Sequence, residues 1–222
     1  MTYTVSLKIK ADTFQRFEQI HRQLNQAESE SLAQPLGDVL AEISCEVVDQ
    51  VFGPMSRDLK DDPESEKVLG QIQDAVKKYM PWSVSFLSNA RLQPMVNYLA
   101  EMIAIDQGQH MLCYDVDNVI VKETLGCLEH IRAGNYAYIQ PAFKALTQIV
   151  DQGVTRLVRE PQKMLKFNFV VDKTLNGVIN FTTQLGYRRL EKLANEFDVE
   201  TTEKYFRHFF AFMQPKELQE EV

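Results

Sequence analysis

Apolar residues recur along this chain at two spacings, and the spacings divide it into elements. Tyr3, Val5, Leu7 and Ile9 alternate with Thr4, Ser6, Lys8 and Lys10, which predicts a strand over 3–10 with one buried face. Asp12 then caps a helix whose apolar stripe is Phe14, Phe17, Ile20 and Leu24. A second stripe, Leu36, Val39, Leu40, Ile43, Val47 and Val51, opens at Pro35 and is closed by Gly53-Pro54. After an exposed polar loop at 57–66, Val68, Ile72, Ala75, Val76 and Tyr79 predict a helix that Met80-Pro81-Trp82 breaks or kinks.

The segment 94–107 is apolar nearly all round, with only Asn97 and Glu101 one turn apart as a polar stripe. It reads as a central helix, opened by Pro94, closed by Gly108 and packed on several sides. A turn near Tyr114-Asp115-Val116-Asp117 leads to a helix through Val121, Leu125, Leu128 and Ile131. The next helix, from Pro141, carries Phe143, Leu146, Val150, Val154 and Leu157 and stops before Pro161. Leu165, Phe167, Phe169 and Val171 then alternate, and Asn176-Gly177 is a favoured turn pair, so a β-hairpin is expected over about 164–184. A helix from Thr174 through Leu175, Ile179, Leu190 and Leu193 is the rival. Helices near 187–197 and 201–213 and a charged tail from Pro215 complete the chain.

The expected fold is mainly α (α+β): a multi-helix body around the central apolar helix, with a small antiparallel sheet from the N-terminal strand and the C-terminal hairpin. One domain, 1–222, is expected, with the helical body over about 11–160. Gln34-Pro35, Gln93-Pro94 and Gln140-Pro141 each precede a leucine at the same offset (Leu40, Leu99, Leu146). The intervals between the copies differ, so shared helix-start chemistry explains them better than a periodic array.

Composition narrows the class. Apolar content of 45% and charged content of 25% are those of an ordinary globular protein. No apolar run reaches bilayer length, and Met1-Thr2-Tyr3-Thr4 begins no signal peptide. Cys45, Cys113 and Cys127 are odd in number and form no Cys-x-x-Cys, which points to a reducing compartment, the cytoplasm by default. The net charge is −7, but Arg156, Arg159, Lys163, Lys166, Lys173, Arg188, Arg189 and Lys192 stand against only Glu160, Asp172 and Glu191. That local excess of five leaves the rest of the chain at −12, a balance that disfavours nonspecific nucleic-acid or membrane binding elsewhere.

The strongest chemical constellation is His110-x-x-Cys113 with Cys127-x-x-His130, whose ligand types suit tetrahedral zinc. A continuous helix through Cys127 places it about 13 Å along the axis from its start, too far from His110 and Cys113 to share an ion. Glu101 and His130 form a candidate acid–base pair if two helices face each other across a turn at Asp115, although a structural pair accounts for them as well. Glu18-x-x-His21 lacks the second copy that a di-iron site needs, and Asp115-x-Asp117 lacks the later ligands of a calcium loop. Neither a phosphate-binding glycine loop nor a Gly-x-Ser-x-Gly or His-Glu-x-x-His motif is present. Catalytic, cofactor and metal residues are therefore assigned as none, and the balance leans against an enzyme.

The first expectation is a cytoplasmic protein that works by protein–protein binding, as an adaptor, regulator or inhibitor. Its supports are the acidic set Asp38, Glu42, Glu46 and Asp49 and the aromatics Tyr205, Phe206, Phe209, Phe210 and Phe212. A homodimer fits the same features, and no membrane partner is expected. The second is anion or nucleic-acid binding through 156–192, with Arg156, Arg159, Arg188, Arg189 and Lys192 as ligands interleaved with Phe167, Phe169, Phe181 and Tyr187. Nucleic acid is the weaker half of that pair. The third is an enzyme or metalloprotein around Glu101, His110, Cys113, Cys127 and His130.

Overall fold

The first strand forms as its period of two requires. In the computed structural model, which describes residues 2–26, 29–58 and 63–215 (for 54–58 the backbone alone), β1 spans Tyr3–Ile9 and buries Val5, Leu7 and Ile9 on one face. It lies inside a four-stranded antiparallel sheet of order β2-β3-β1-β4, where β2 is Ile103–Asp106, β3 Gln109–Val116 and β4 Met213–Pro215. Tyr3 pairs with Val116 on one side and Pro215 on the other, while Ile9 pairs with His110. The chain is mainly α around this small sheet, as its sequence pattern predicts.

The sheet's other members depart from expectation. The 94–107 segment is helical only in its first half: α4 runs Asn89–Glu101, with Pro94 inside it, and then gives way to the β2–β3 hairpin. Gly108 is no helix stop. Gln107 and Gly108 have φ of 49° and 77°, and the positive pair makes the two-residue turn that matches strand twist. Leu92, Met95, Val96 and Leu99 do occupy the core, whereas Ile105 is 71% exposed on the hairpin.

The hairpin expected over 164–184 is absent. From Phe169 onward those residues belong to α8, Phe169–Glu196, started by Asn168, whose side chain accepts from the Val171 amide at 3.0 Å. Thr174, Thr182 and Thr183 bond back to carbonyls one turn earlier, which holds β-branched residues in helical phase. The expected helix at 187–197 is the end of α8, and the last expected helix is α9, Val199–Phe210, followed by β4.

The remaining helices are α1 (Ala11–Asn25), α2 (Ala33–Asp58), α3 (Pro63–Val84), α5 (Asn118–Arg132), α6 (Ile139–Val154) and α7 (Glu160–Met164). Two expected helix stops do not occur, and the proline expected to break or kink α3 does not end it. α2 continues through Gly53-Pro54, α3 continues through Pro81, and a π-helical turn at Thr155–Arg159 carries α6 into α7 past Pro161. A proline inside a helix removes one backbone bond, and long partner helices supply enough packing to override that. At Pro81 the partner is α2, where only Gly37 fits: a Cβ there would lie 2.5 Å from the Pro81 Cα. Part of the expected 57–66 loop (59–62) and most of the charged tail (216–222) lie outside the described residues.

Beyond β4, the outer edge of β1 is closed by side chains of α2. Gln50 accepts from the Lys8 amide at 2.8 Å and donates to the Lys8 carbonyl at 2.7 Å, and Glu46 accepts from the Lys10 amide at 2.9 Å. Two apolar clusters result. One joins the sheet to α5, α6, α9 and the end of α8 through Leu7, Phe143, Leu190 and Phe206. The other joins α1, α2 and α4 to Ile9 and Leu112 through Phe17, Leu36, Val96 and Leu92.

Candidate functional site

The two clusters do not close on each other. Between them lies a cavity of about 270 Å³, walled by the buried face of the sheet (Leu7, Ile9, Leu112, Tyr114) and by α2, α3, α8 and the π-helical turn. α2 lines it from Leu40 to Phe52, α3 from Ile72 to Val84 and α8 from Leu175 to Tyr187. Each of these stretches advances about 18 Å at 1.5 Å per residue, so the hollow is elongated.

Several features hold it open. α8 is fastened at both ends. At its far end Arg189, only 5% exposed, donates to Ser65 on α3 at 2.7 Å and pairs with Glu196 at 2.9 Å. At its near end Gln162 reaches Asp172 at 3.1 Å. Between Leu175 and Gly186 no residue of α8 is fully buried, and Val178, Ile179, Thr182 and Thr183 face the hollow half-buried. The π-helical turn adds its extra residue beside the cavity, where Val154, Leu157 and Val158 line it. The Arg156 carbonyl there accepts from the Tyr98 hydroxyl at 3.1 Å. At Gly153 the Tyr114 hydroxyl lies where a Cβ would stand (2.6 Å), so the glycine is what admits that ring.

The wall is chemically apolar even where its residues carry hydroxyls. Ser83 donates to the Met80 carbonyl, Thr182 to Val178 and Thr183 to Ile179, each at 2.8–2.9 Å within its own helix. Two tyrosines of the lining carry the other polar features. Tyr114 is buried without a hydrogen-bond partner for its hydroxyl among the described residues, and burial alone pushes its phenol well above the ordinary range. Tyr187 donates to Asp151 at 2.6 Å, and Asp151 also accepts from Arg159 at 2.8 Å. Burial pushes the Asp151 carboxyl up, but the bonds from Tyr187 and Arg159 outweigh it and hold the group below its usual value.

The residues singled out from sequence are scattered around this cavity. Glu101 is exposed at the end of α4, and His130 is exposed on α5 with its ring stacked on Tyr138 at 4.1 Å. The chain between them is a β-hairpin, so the two facing helices that would pair them do not form, and no bond joins them among the described residues. His110 and Cys113 sit on β3, His110 stacked on Phe14 at 3.6 Å and Cys113 3.5 Å from the Ser6 hydroxyl; Cys127 is buried in α5. Among the described residues no three His, Cys, Asp or Glu side chains lie close enough to hold a metal ion.

The expected anion ligands are mostly occupied. Arg156 pairs with Glu160 at 2.9 Å, Arg159 with Asp151, Arg189 with Glu196 and Lys192 with Glu64 at 2.6 Å, while Arg188 is exposed. On the acidic set, Glu42 is paired bidentately with Arg16, and Glu46 accepts from Thr13 at 2.8 Å. Tyr205, one of the terminal aromatics counted toward a protein-binding surface, is buried and stacked on Phe143 with centroids 5.7 Å apart.

Sequence reasoning reads the cavity lining as core, because a stripe facing a hollow and a stripe facing a neighbour have the same period. The one available signal is on α8, where Thr182 and Thr183 interrupt an otherwise apolar inner face. Comparison with family models, with curated proteins and with solved structures gives no match, so the site is characterised by its own geometry alone.

Proposed function

We propose that the protein binds one elongated apolar small molecule, such as a long acyl or isoprenoid chain, in the cavity between α2, α3 and α8. The observation that carries this is the size and lining of the hollow together. Protein interiors normally leave few voids larger than a water molecule. An unfilled apolar hollow of about 270 Å³ forgoes the packing contacts of its walls and so costs stability. Water does not relieve that cost, because Ser83, Thr182 and Thr183 already bond within their helices and an ordered water needs two or more polar partners, which the unbonded Tyr114 hydroxyl does not supply by itself. An apolar chain does, at about 0.8 kcal/mol for each methylene buried. Tyr114 supplies one hydroxyl for a polar atom on such a ligand, and Tyr187, also in the wall, ties it to the polar network of Asp151 and Arg159.

Binding to another protein, the first expectation from sequence, rested on the acidic set and the terminal aromatics. Glu42, Glu46 and Tyr205 are engaged within the chain, so those features lend it less than the cavity lends a small ligand.

The test is organic extraction of the purified protein followed by mass spectrometry, with titration of a fluorescent fatty acid into the delipidated protein. Saturable binding at one site per chain is expected, abolished by Ala75→Trp or Gly186→Leu, which fill the hollow from α3 and α8. A folded protein that takes up no fatty acid or isoprenoid probe overturns the proposal, as does a filled variant that binds as well as the parent.

A further inference from the structure

The other side of α8 is as unusual as its inner one. Phe169 is 79% exposed, Val170 70% and Phe181 58%, all on one helical face with Lys173 and Arg188. From Phe169 to Arg188 that face carries no acidic residue, in a chain with 31 of them. Asp172, the only acid in this stretch, lies off the face and is bonded to Gln162 and Asn176. Lys163, on α7, and Lys166, in the connection before α8, extend the basic rim. None of the four, Lys163, Lys166, Lys173 and Arg188, forms an ion pair among the described residues, although Lys163 acts on the Glu160 carboxylate from a distance, and the other four cations of this segment are all paired.

We infer that this outer face of α8 rests on an anionic lipid surface, with Phe169, Val170 and Phe181 entering the headgroup–acyl boundary and the basic side chains meeting phosphate and carboxylate groups. Aromatic and branched side chains in the plane of a single helix, flanked by lysine and arginine, are the pattern of a helix lying in a membrane interface. The same charges argue against the alternative occupants. A second copy docked face to face would oppose Lys173 and Arg188 to themselves. A specific protein partner calls for a groove or convergent polar groups, whereas this face is one convex helix whose intervening residues are Thr174, Gly177, Asn180 and Gln184. The proposal goes beyond the cavity reading and does not need it. It does give that reading a route, since Val178, Ile179 and Thr182 of the same helix line the hollow on its inner side.

The experiment is co-sedimentation of the full chain with vesicles of phosphatidylcholine alone and of an equimolar mixture with phosphatidylserine. The parent is expected to pellet with the mixed vesicles, and less so as salt rises. The double variant Phe169→Ser/Val170→Ser is expected to partition about tenfold less, and so is Lys173→Glu/Arg188→Glu. These side chains are exposed, so both variants keep the parent's circular dichroism and unfolding midpoint, and Phe86→Ser, in the turn after α3, serves as the exposed-aromatic control. Equal binding to both vesicle types overturns the inference, as does unchanged binding by either double variant. A parent that is oligomeric by sedimentation and becomes monomeric in Phe169→Ser/Val170→Ser also overturns it, in favour of a self-association face. Fatty-acid uptake unaffected by these variants separates this outcome from that of the cavity.

Discussion

Gly177→Ala is a sharp test of the longest element, because its sign depends on the conformation. In α8 the position is a helix interior on the solvent side, and a Cβ built there meets nothing within 4 Å. Glycine in a helix interior costs about 0.5–1 kcal/mol relative to alanine, through the backbone freedom it loses on folding. With no clash to set against that, alanine is expected to stabilise the protein by about 0.5–1 kcal/mol. For a chain of this size the gain corresponds to a rise in Tm on the order of 1–4 °C. If Asn176-Gly177 were a hairpin turn, both residues would sit at positive φ and alanine would cost about 1–2 kcal/mol instead. Urea titration followed by circular dichroism decides it, with the slope unchanged and the midpoint raised. A lowered midpoint refutes the helix at this position, and with it the wall that α8 gives the cavity.

The same substitution at Gly37 is expected to act in the opposite direction. The new Cβ would meet Pro81 Cα at 2.5 Å and Val84 Cγ2 at 2.8 Å, and overpacking of about 1–3 kcal/mol outweighs the helical gain, so the urea midpoint falls. Asn168→Ala removes the cap of α8 and is expected to cost about 1 kcal/mol in the same titration. Asp151 and Glu160 both have folded pKa values below their ordinary range, so their contribution is complete above the usual carboxylate range and is lost as pH falls through the depressed values. Tyr187→Phe is therefore expected to raise the Asp151 pKa, read by carboxyl NMR titration, and to flatten the acid limb of the stability curve. At the alkaline end, burial and then the bond to Glu160 push Tyr98 to about 12, and Tyr114, Tyr187 and Tyr205 are also shifted upward. Those four of the eight tyrosines are expected to show no phenolate absorbance until pH passes the ordinary tyrosine value, and stability falls as they titrate.

What the sequence makes legible follows from where one face alone is buried. β1 is readable because Val5, Leu7 and Ile9 face the core and Lys8 does not, and α1, α2, α5 and α9 are readable for the same reason at helical spacing. The 94–107 segment misleads because a run apolar on all sides carries no period, and Gly108 suits a helix end and a two-residue turn equally. Around the start of α8 the alternation of Leu165, Phe167, Phe169 and Val171 arises from two causes that the pattern does not separate: Leu165 and Val171 are buried, while Phe169 is turned outward. The cavity is illegible for a deeper reason. Whether Val47, Val76 and Ile179 touch one another or a hollow depends on how far apart their helices stand, and the ties that set that distance, such as Arg189 to Ser65, join residues more than a hundred positions apart.

The order of the strands also governs how this chain comes off the ribosome. β1 is made first yet sits in the sheet's interior, and its partners are the segment ending at Val116 and the one ending at Pro215. Until the final residues of β4 are free of the exit tunnel, Tyr3, Thr4 and Val5 present unpaired amides and carbonyls on one side. Synthesis at about 5–20 residues per second sets that interval at roughly ten seconds or more, far longer than a helix takes to form. The helices therefore assemble around a half-finished sheet, and a product stopped short of Met213 would keep a sticky border that the whole chain seals last.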